Sequence, residues 1–137
     1  MALGASEIVS IGSAVISAVA LGVSVFAVRS ARRVAAQDRA ADSIRGYLDL
    51  SLKYPRFSTD EKDEAYGWYI SYLLLMAQEV LAAYPDSARW RTLMKLQLSY
   101  HREFLVDWYA EDKEFFGLFG ADAAGLVHEV VKSKELK

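Results

Sequence analysis

The sequence predicts an all-α protein: a single N-terminal transmembrane helix followed by an antiparallel bundle of three to four helices. Three observations predict it. Ile8 to Val28 is an apolar run without a charged residue. Downstream, apolar residues recur at helical spacing between proline-marked breaks. No stretch alternates in the manner of a strand or hairpin. The organisation expected is a transmembrane segment over 1–28, with its helix at about 8–28, a helical stalk over 29–43, and a cytoplasmic helical bundle over 44–137.

The membrane segment comes first. At about 1.5 Å rise per residue the run reaches about 31 Å, the thickness of a bilayer core. No basic residue precedes it, as a signal peptide would require. Arg29, Arg32 and Arg33 follow it instead, so the positive-inside rule puts the N-terminus outside and the body of the chain in the cytoplasm. The same arginines can meet anionic lipid headgroups, each worth about 1 kcal/mol near the surface.

Small residues in this run share one side. Ser10, Ser17 and Ser24 are seven apart, and Ser13, Ala20 and Ala27 form the second register of the same heptad. At about 100° per residue the four serines fall within an arc of about 60°. Ile8, Val15, Ile16, Val19, Val23 and Phe26 lie opposite. Small side chains let two helix backbones approach, and serine hydroxyls can bond across the contact. The stripe is thus a candidate helix–helix interface, for self-association or for another membrane subunit. A plain anchor whose serines bond back to their own helix is the alternative. The run has no His, Asp, Glu, Lys or Arg, hence no side-chain ligand for a pigment metal and no proton or ion path.

Arg29 to Asp42 lacks Pro and Gly and continues as the stalk. From Ile44 the row Ile44, Leu48, Leu52, with Tyr47 beside it, predicts an amphipathic helix ended by Pro55. Ser58 and Glu61 stand at capping-box spacing, ahead of a helix over about 60–84 that is apolar on two sides and so central. Tyr84-Pro85 stops it, and Asp86 or Ser87 caps the next. That helix, over about 87–109, places Trp90, Leu93, Met94, Gln97, His101, Phe104, Leu105 and Trp108 on one face. Glycines 117, 120 and 125 then interrupt a Phe-rich stretch before a terminal helix over about 121–133.

Composition removes several functions. With 16 basic and 18 acidic residues the chain carries a formal charge of -2, and only Glu7 precedes Arg29, so the remainder is near neutral and nucleic acid is not expected as a partner. There are no cysteines, which excludes disulfides and thiolate chemistry. No Gly-x-Ser-x-Gly or phosphate-loop motif occurs. Neither His101 nor His128 has a Glu three residues before it, so the di-metal bundle pattern fails. His101 with Gln97 is the most site-like pair, read mainly as a buried histidine bonded to a tyrosine or to Gln97. No catalytic, cofactor or metal residue is assigned. Trp68, Phe115, Phe116 and Phe119 are candidate partner contacts, the phenylalanines either plugging the bundle end or docking elsewhere.

The segments Tyr47-Leu48-Asp49-Leu50-Ser51-Leu52-Lys53-Tyr54-Pro55, Tyr66-Gly67-Trp68-Tyr69-Ile70-Ser71-Tyr72-Leu73-Leu74 and Tyr84-Pro85-Asp86 through Trp90-Arg91 resemble a known group. These are uncharacterised bacterial single-pass membrane proteins with an N-terminal transmembrane helix and a helical cytoplasmic domain. The resemblance implies a bacterial inner-membrane setting and no particular activity. The function expected is a non-enzymatic accessory or assembly subunit of a larger membrane complex. The alternative is a membrane-tethered regulatory or sensory module binding a cytosolic protein or small ligand, with a surface enzyme third.

Overall fold

A computed structural model of the chain describes residues 4–58 and 63–133. Among these residues there are five α-helices, two 3-10 segments and no strand. The helices are α1 (Ala5–Lys53), α2 (Glu64–Ala83), α3 (Ala88–Ser99), α4 (Arg102–Glu111) and α5 (Gly120–Lys132). The 3-10 segments are Pro55–Ser58 and Glu114–Phe119. By contacts the chain divides into two units, Met1–Ala35 and Ala36–Lys137.

Among its described residues the first unit is helix from Ala5 onward. It contains a stretch long and apolar enough to cross a membrane. Its large apolar residues are exposed, from Ile8 through Ile16 to Phe26 at 74%.

The second unit begins at Ala36, inside the stretch expected to be a helical stalk. Ala36 is half-buried and Ala40 is fully buried, because small side chains there let the helix settle against its neighbours. The expected inward row of α1 is also corrected. Tyr47 is buried, Ile44 only partly, while Leu48 and Leu52 stay exposed. The contact to α2 is made by tyrosines instead. Tyr47 and Tyr69 rings lie 5.4 Å apart. Gly46 faces the Tyr72 hydroxyl so closely that a Cβ there would lie 2.0 Å from that oxygen. Arg39 pairs with Glu79 at 3.4 Å on the same side.

Helix boundaries follow local chemistry. α1 ends two residues before Pro55, which cannot supply the next backbone donor. α2 starts at Glu64, later than expected, with Asp63 as its cap accepting from the Tyr66 amide at 3.0 Å. Of the expected capping box, Glu61 lies outside the described residues and Ser58 belongs to the 3-10 segment. Ser87 caps α3, accepting from the Trp90 amide at 3.3 Å. α5 opens on Gly120 at φ 82, a left-handed backbone that other residues rarely adopt.

The single helix expected over 87–109 is two helices. The chain breaks at Tyr100 and His101, where the His101 amide bonds Leu98 in a tightened turn, 3.0 Å, before Leu105 resumes the ladder on His101. No Pro or Gly stands there. Ser99 instead donates to the Leu96 carbonyl at 2.7 Å, and His101 turns inward to a hydrogen bond with α2.

The core is shared between α2 and α5. Ile70, Leu73, Leu74 and Val80 of α2 are fully buried, as are Leu126, Val127 and Val130 of α5. Leu98, Leu105 and Phe116 close it from α3, α4 and the second 3-10 segment. Each such side chain contributes about 1.5–3 kcal/mol by leaving water. α2 was expected to be central, and α5 shares that place with it. α5 in fact touches α2, α3, α4 and the Glu114–Phe119 segment.

Candidate functional site

In the first unit, Ser10, Ser13, Ser17, Ala20, Ser24 and Ala27 are all exposed. Ser24 donates to the Ala20 carbonyl at 2.8 Å, the bond a plain anchor also makes. Arg29, Arg32 and Arg33 are exposed after them.

The second unit holds a cluster that the sequence marked only through His101 and Gln97. α1 supplies Tyr47 and Ser51, α2 supplies Tyr66 and Tyr69, α3 supplies Gln97, and the break after α3 supplies His101. The Tyr69 hydroxyl donates to that of Tyr47 at 2.8 Å. Ser51 Oγ lies 3.0 Å from the Tyr69 hydroxyl and 2.8 Å from the Tyr47 carbonyl. Tyr47 directs its own hydroxyl toward Gln97 Oε1 at 3.5 Å. The Tyr66 hydroxyl meets His101 Nδ1 at 2.5 Å. Edge-on contacts from the rings of Tyr66 and Tyr69 hold the imidazole in place.

Burial sets the protonation of this cluster. His101 is 7% exposed. Loss of water around it lowers its pKa to about 4, so the imidazole is neutral at pH 7. Burial first, then the Tyr69 hydroxyl, raises the Tyr47 phenol above its ordinary value. The site is therefore uncharged: a set of fixed donors and acceptors among aromatic faces. The signal that could have found it is the spacing Tyr66, Tyr69 with Tyr47, Ser51, each pair one helical turn apart on its helix.

Two open depressions adjoin the cluster. One, of about 490 Å³, is lined by Tyr47, Leu48, Ser51, Tyr69, Gln97, Tyr100 and His101. Another, of about 250 Å³, lies beyond His101 and includes Arg102 and Glu103. His101 thus separates an uncharged groove from a charged one. A third groove of about 440 Å³, between Leu50, Tyr54, Phe57, Trp68 and Tyr72, is mainly apolar.

The candidate partner contacts divide. Trp68 is 72% exposed beside that third groove. Phe116 is 1% exposed, packed on Trp108 and Tyr109, so it is a core plug and not the surface contact expected. Phe115 and Phe119 are half-buried, 5.3 Å apart, with Phe115 against Trp108. His128 is exposed and bonded to the Tyr109 hydroxyl at 2.9 Å. Among the described residues no group of three or more His, Cys, Asp or Glu is placed to hold a metal ion. Comparison with protein families, curated proteins and solved structures finds no match to this chain.

Proposed function

We propose that the chain is a single-pass protein of the bacterial inner membrane, N-terminus outside, carrying an antiparallel helical bundle in the cytoplasm. In this reading it is a non-enzymatic accessory or assembly subunit of a larger membrane complex. Its partner is another membrane subunit, or a second copy, packed on the face of Ser10, Ser13, Ser17, Ala20, Ser24 and Ala27.

One observation carries the reading. The helix from Ile8 to Val28 exposes its large apolar side chains, with nothing among the described residues covering them. In water such a surface is far larger than a monomer tolerates. In a bilayer it is the expected lipid-facing surface, and the one smooth stripe on it is where another helix can approach. Arg29, Arg32 and Arg33 then stand at the cytoplasmic border. Extraction in mild detergent, with identification of what co-purifies, tests it. A stoichiometric membrane partner supports the subunit role, and recovery of a lone monomer argues against it.

A second reading is favoured by the open groove beside Tyr47 and His101. It makes the protein a membrane-tethered regulatory or sensory module whose cytoplasmic domain takes a cytosolic protein or a small ligand.

A further inference from the structure

The groove between α1 and α3 is floored by Tyr69 of α2, with Leu48 and Tyr100 as its opposing lips. Leu48 is exposed, and so is Tyr100 at 69%. Neither is needed to close the core. We propose that this groove binds an uncharged planar ring whose edge carries a hydrogen-bond acceptor next to a donor, the chemistry of a nucleobase or a ring carboxamide. This deepens the second reading above by naming a ligand class, and it is independent of how the membrane helix associates.

Three features select that class. First, among the described residues no Asp, Glu, Lys or Arg lines the groove. A charged ligand there would lose water without gaining a counter-charge, which is costly. Second, the walls are the rings of Tyr47, Tyr69 and Tyr100 with the Leu48 side chain. Flat aromatic faces suit a flat partner, since rings favour offset-stacked or edge-on contact. The volume, about 490 Å³, is within the usual range for small-molecule sites.

Third, one hydrogen bond in the cluster is poorly made. Tyr47 accepts from Tyr69 at 2.8 Å, yet its own donation to Gln97 Oε1 spans 3.5 Å. An O–H···O bond is normally about 2.7–2.8 Å. A ligand edge entering there replaces one long bond by two ordinary ones. Its carbonyl or ring nitrogen accepts from the Tyr47 hydroxyl, and its adjacent N–H donates to Gln97 Oε1. Gln97 presents donor and acceptor together, which suits an amide-like edge.

The test is ligand-observed saturation-transfer NMR on the full-length protein in detergent micelles, with empty micelles as the blank. The probes are nicotinamide, adenine and uracil, with nicotinate as the anionic twin of nicotinamide. At least one neutral probe is expected to show saturable binding. Nicotinate should bind at least tenfold more weakly than nicotinamide wherever nicotinamide binds. Gln97→Leu and Tyr100→Ala should each weaken the bound probe by tenfold or more, at an unchanged melting temperature. Tyr100→Ala alone decides if Gln97→Leu alters folding, because Tyr100 lies outside the core. The proposal is overturned if no neutral probe saturates above empty micelles, or if binding survives Tyr100→Ala in the folded protein.

Discussion

The Tyr66 hydroxyl of α2 and Nδ1 of His101 lie 2.5 Å apart across the break between α3 and α4. This bond joins residues 35 positions apart, at the point where the helical stretch divides into two helices. Burial against the rings of Tyr66 and Tyr69 keeps the imidazole neutral.

Acid should therefore loosen the helical domain. The His101 pKa of about 4 lies below its unfolded value of 6.5, so the folded state disfavours the proton. Its contribution is fully present above pH 6.5 and is lost as pH falls toward 4. The shift corresponds to at most about 3 kcal/mol. Melting temperatures of the full chain in detergent at pH 7.5 and 4.5 measure it. His101→Phe should show a smaller acid loss than the parent, and an equal loss would count against this role.

Arg102 should hold the end of α5. Its guanidinium donates to the carbonyls of Val130, Val131 and Ser133 at 3.2, 3.3 and 2.8 Å, where the helix has no backbone donors left. Arg102→Met is expected to cost about 1.5–3 kcal/mol. Hydrogen exchange should quicken first at the last turn of α5. Uniform quickening over all helices would contradict a local capping role.

Gly46 should matter for space rather than for backbone freedom. In a helix interior, Gly→Ala ordinarily gains about 1 kcal/mol. Here the new Cβ would meet the Tyr72 hydroxyl at 2.0 Å, with the ring carbon behind it at 3.0 Å. Gly46→Ala is thus predicted to lower the melting temperature, and adding Tyr72→Phe to restore much of the loss. A simple stabilisation by Gly46→Ala would show that α1 and α2 need no close approach there.

Membrane orientation has a clean assay because the chain lacks cysteine. Ser6→Cys should react with an impermeant maleimide on intact cells, and Ser133→Cys only after lysis. The reverse pattern would invert the topology, and labelling of both on intact cells would deny cytoplasmic placement.

Much of this fold is legible in the sequence where the cause is local. Pro55, the Tyr84-Pro85 pair and the Ser87 cap act within a turn of themselves, and each marks a real boundary. The break at His101 is not legible, because its partner Tyr66 is distant in sequence and no Pro or Gly announces it. The row Ile44, Leu48, Leu52 misleads for a related reason. Periodicity identifies a helix face, but of that row only Ile44 packs against the core, and the buried residue is Tyr47 beside it. At the candidate site, a buried His101 bonded to tyrosine is readable from its apolar surroundings. Spacing pairs Tyr47 with Ser51 and Tyr66 with Tyr69 on their own helices, but only the approach of α1 to α2 makes the two pairs neighbours.

The subunit role depends most on the small-residue face of α1, and a native gel of gently extracted membranes tests it most directly. Ser17→Leu and Ser24→Leu place a large side chain on that face, whereas Val19→Leu, on the opposite side, does not. The first two should release the protein from its complex to a faster-migrating form while Val19→Leu leaves it assembled. Full association of all three variants would contradict the interface, and with it the subunit reading.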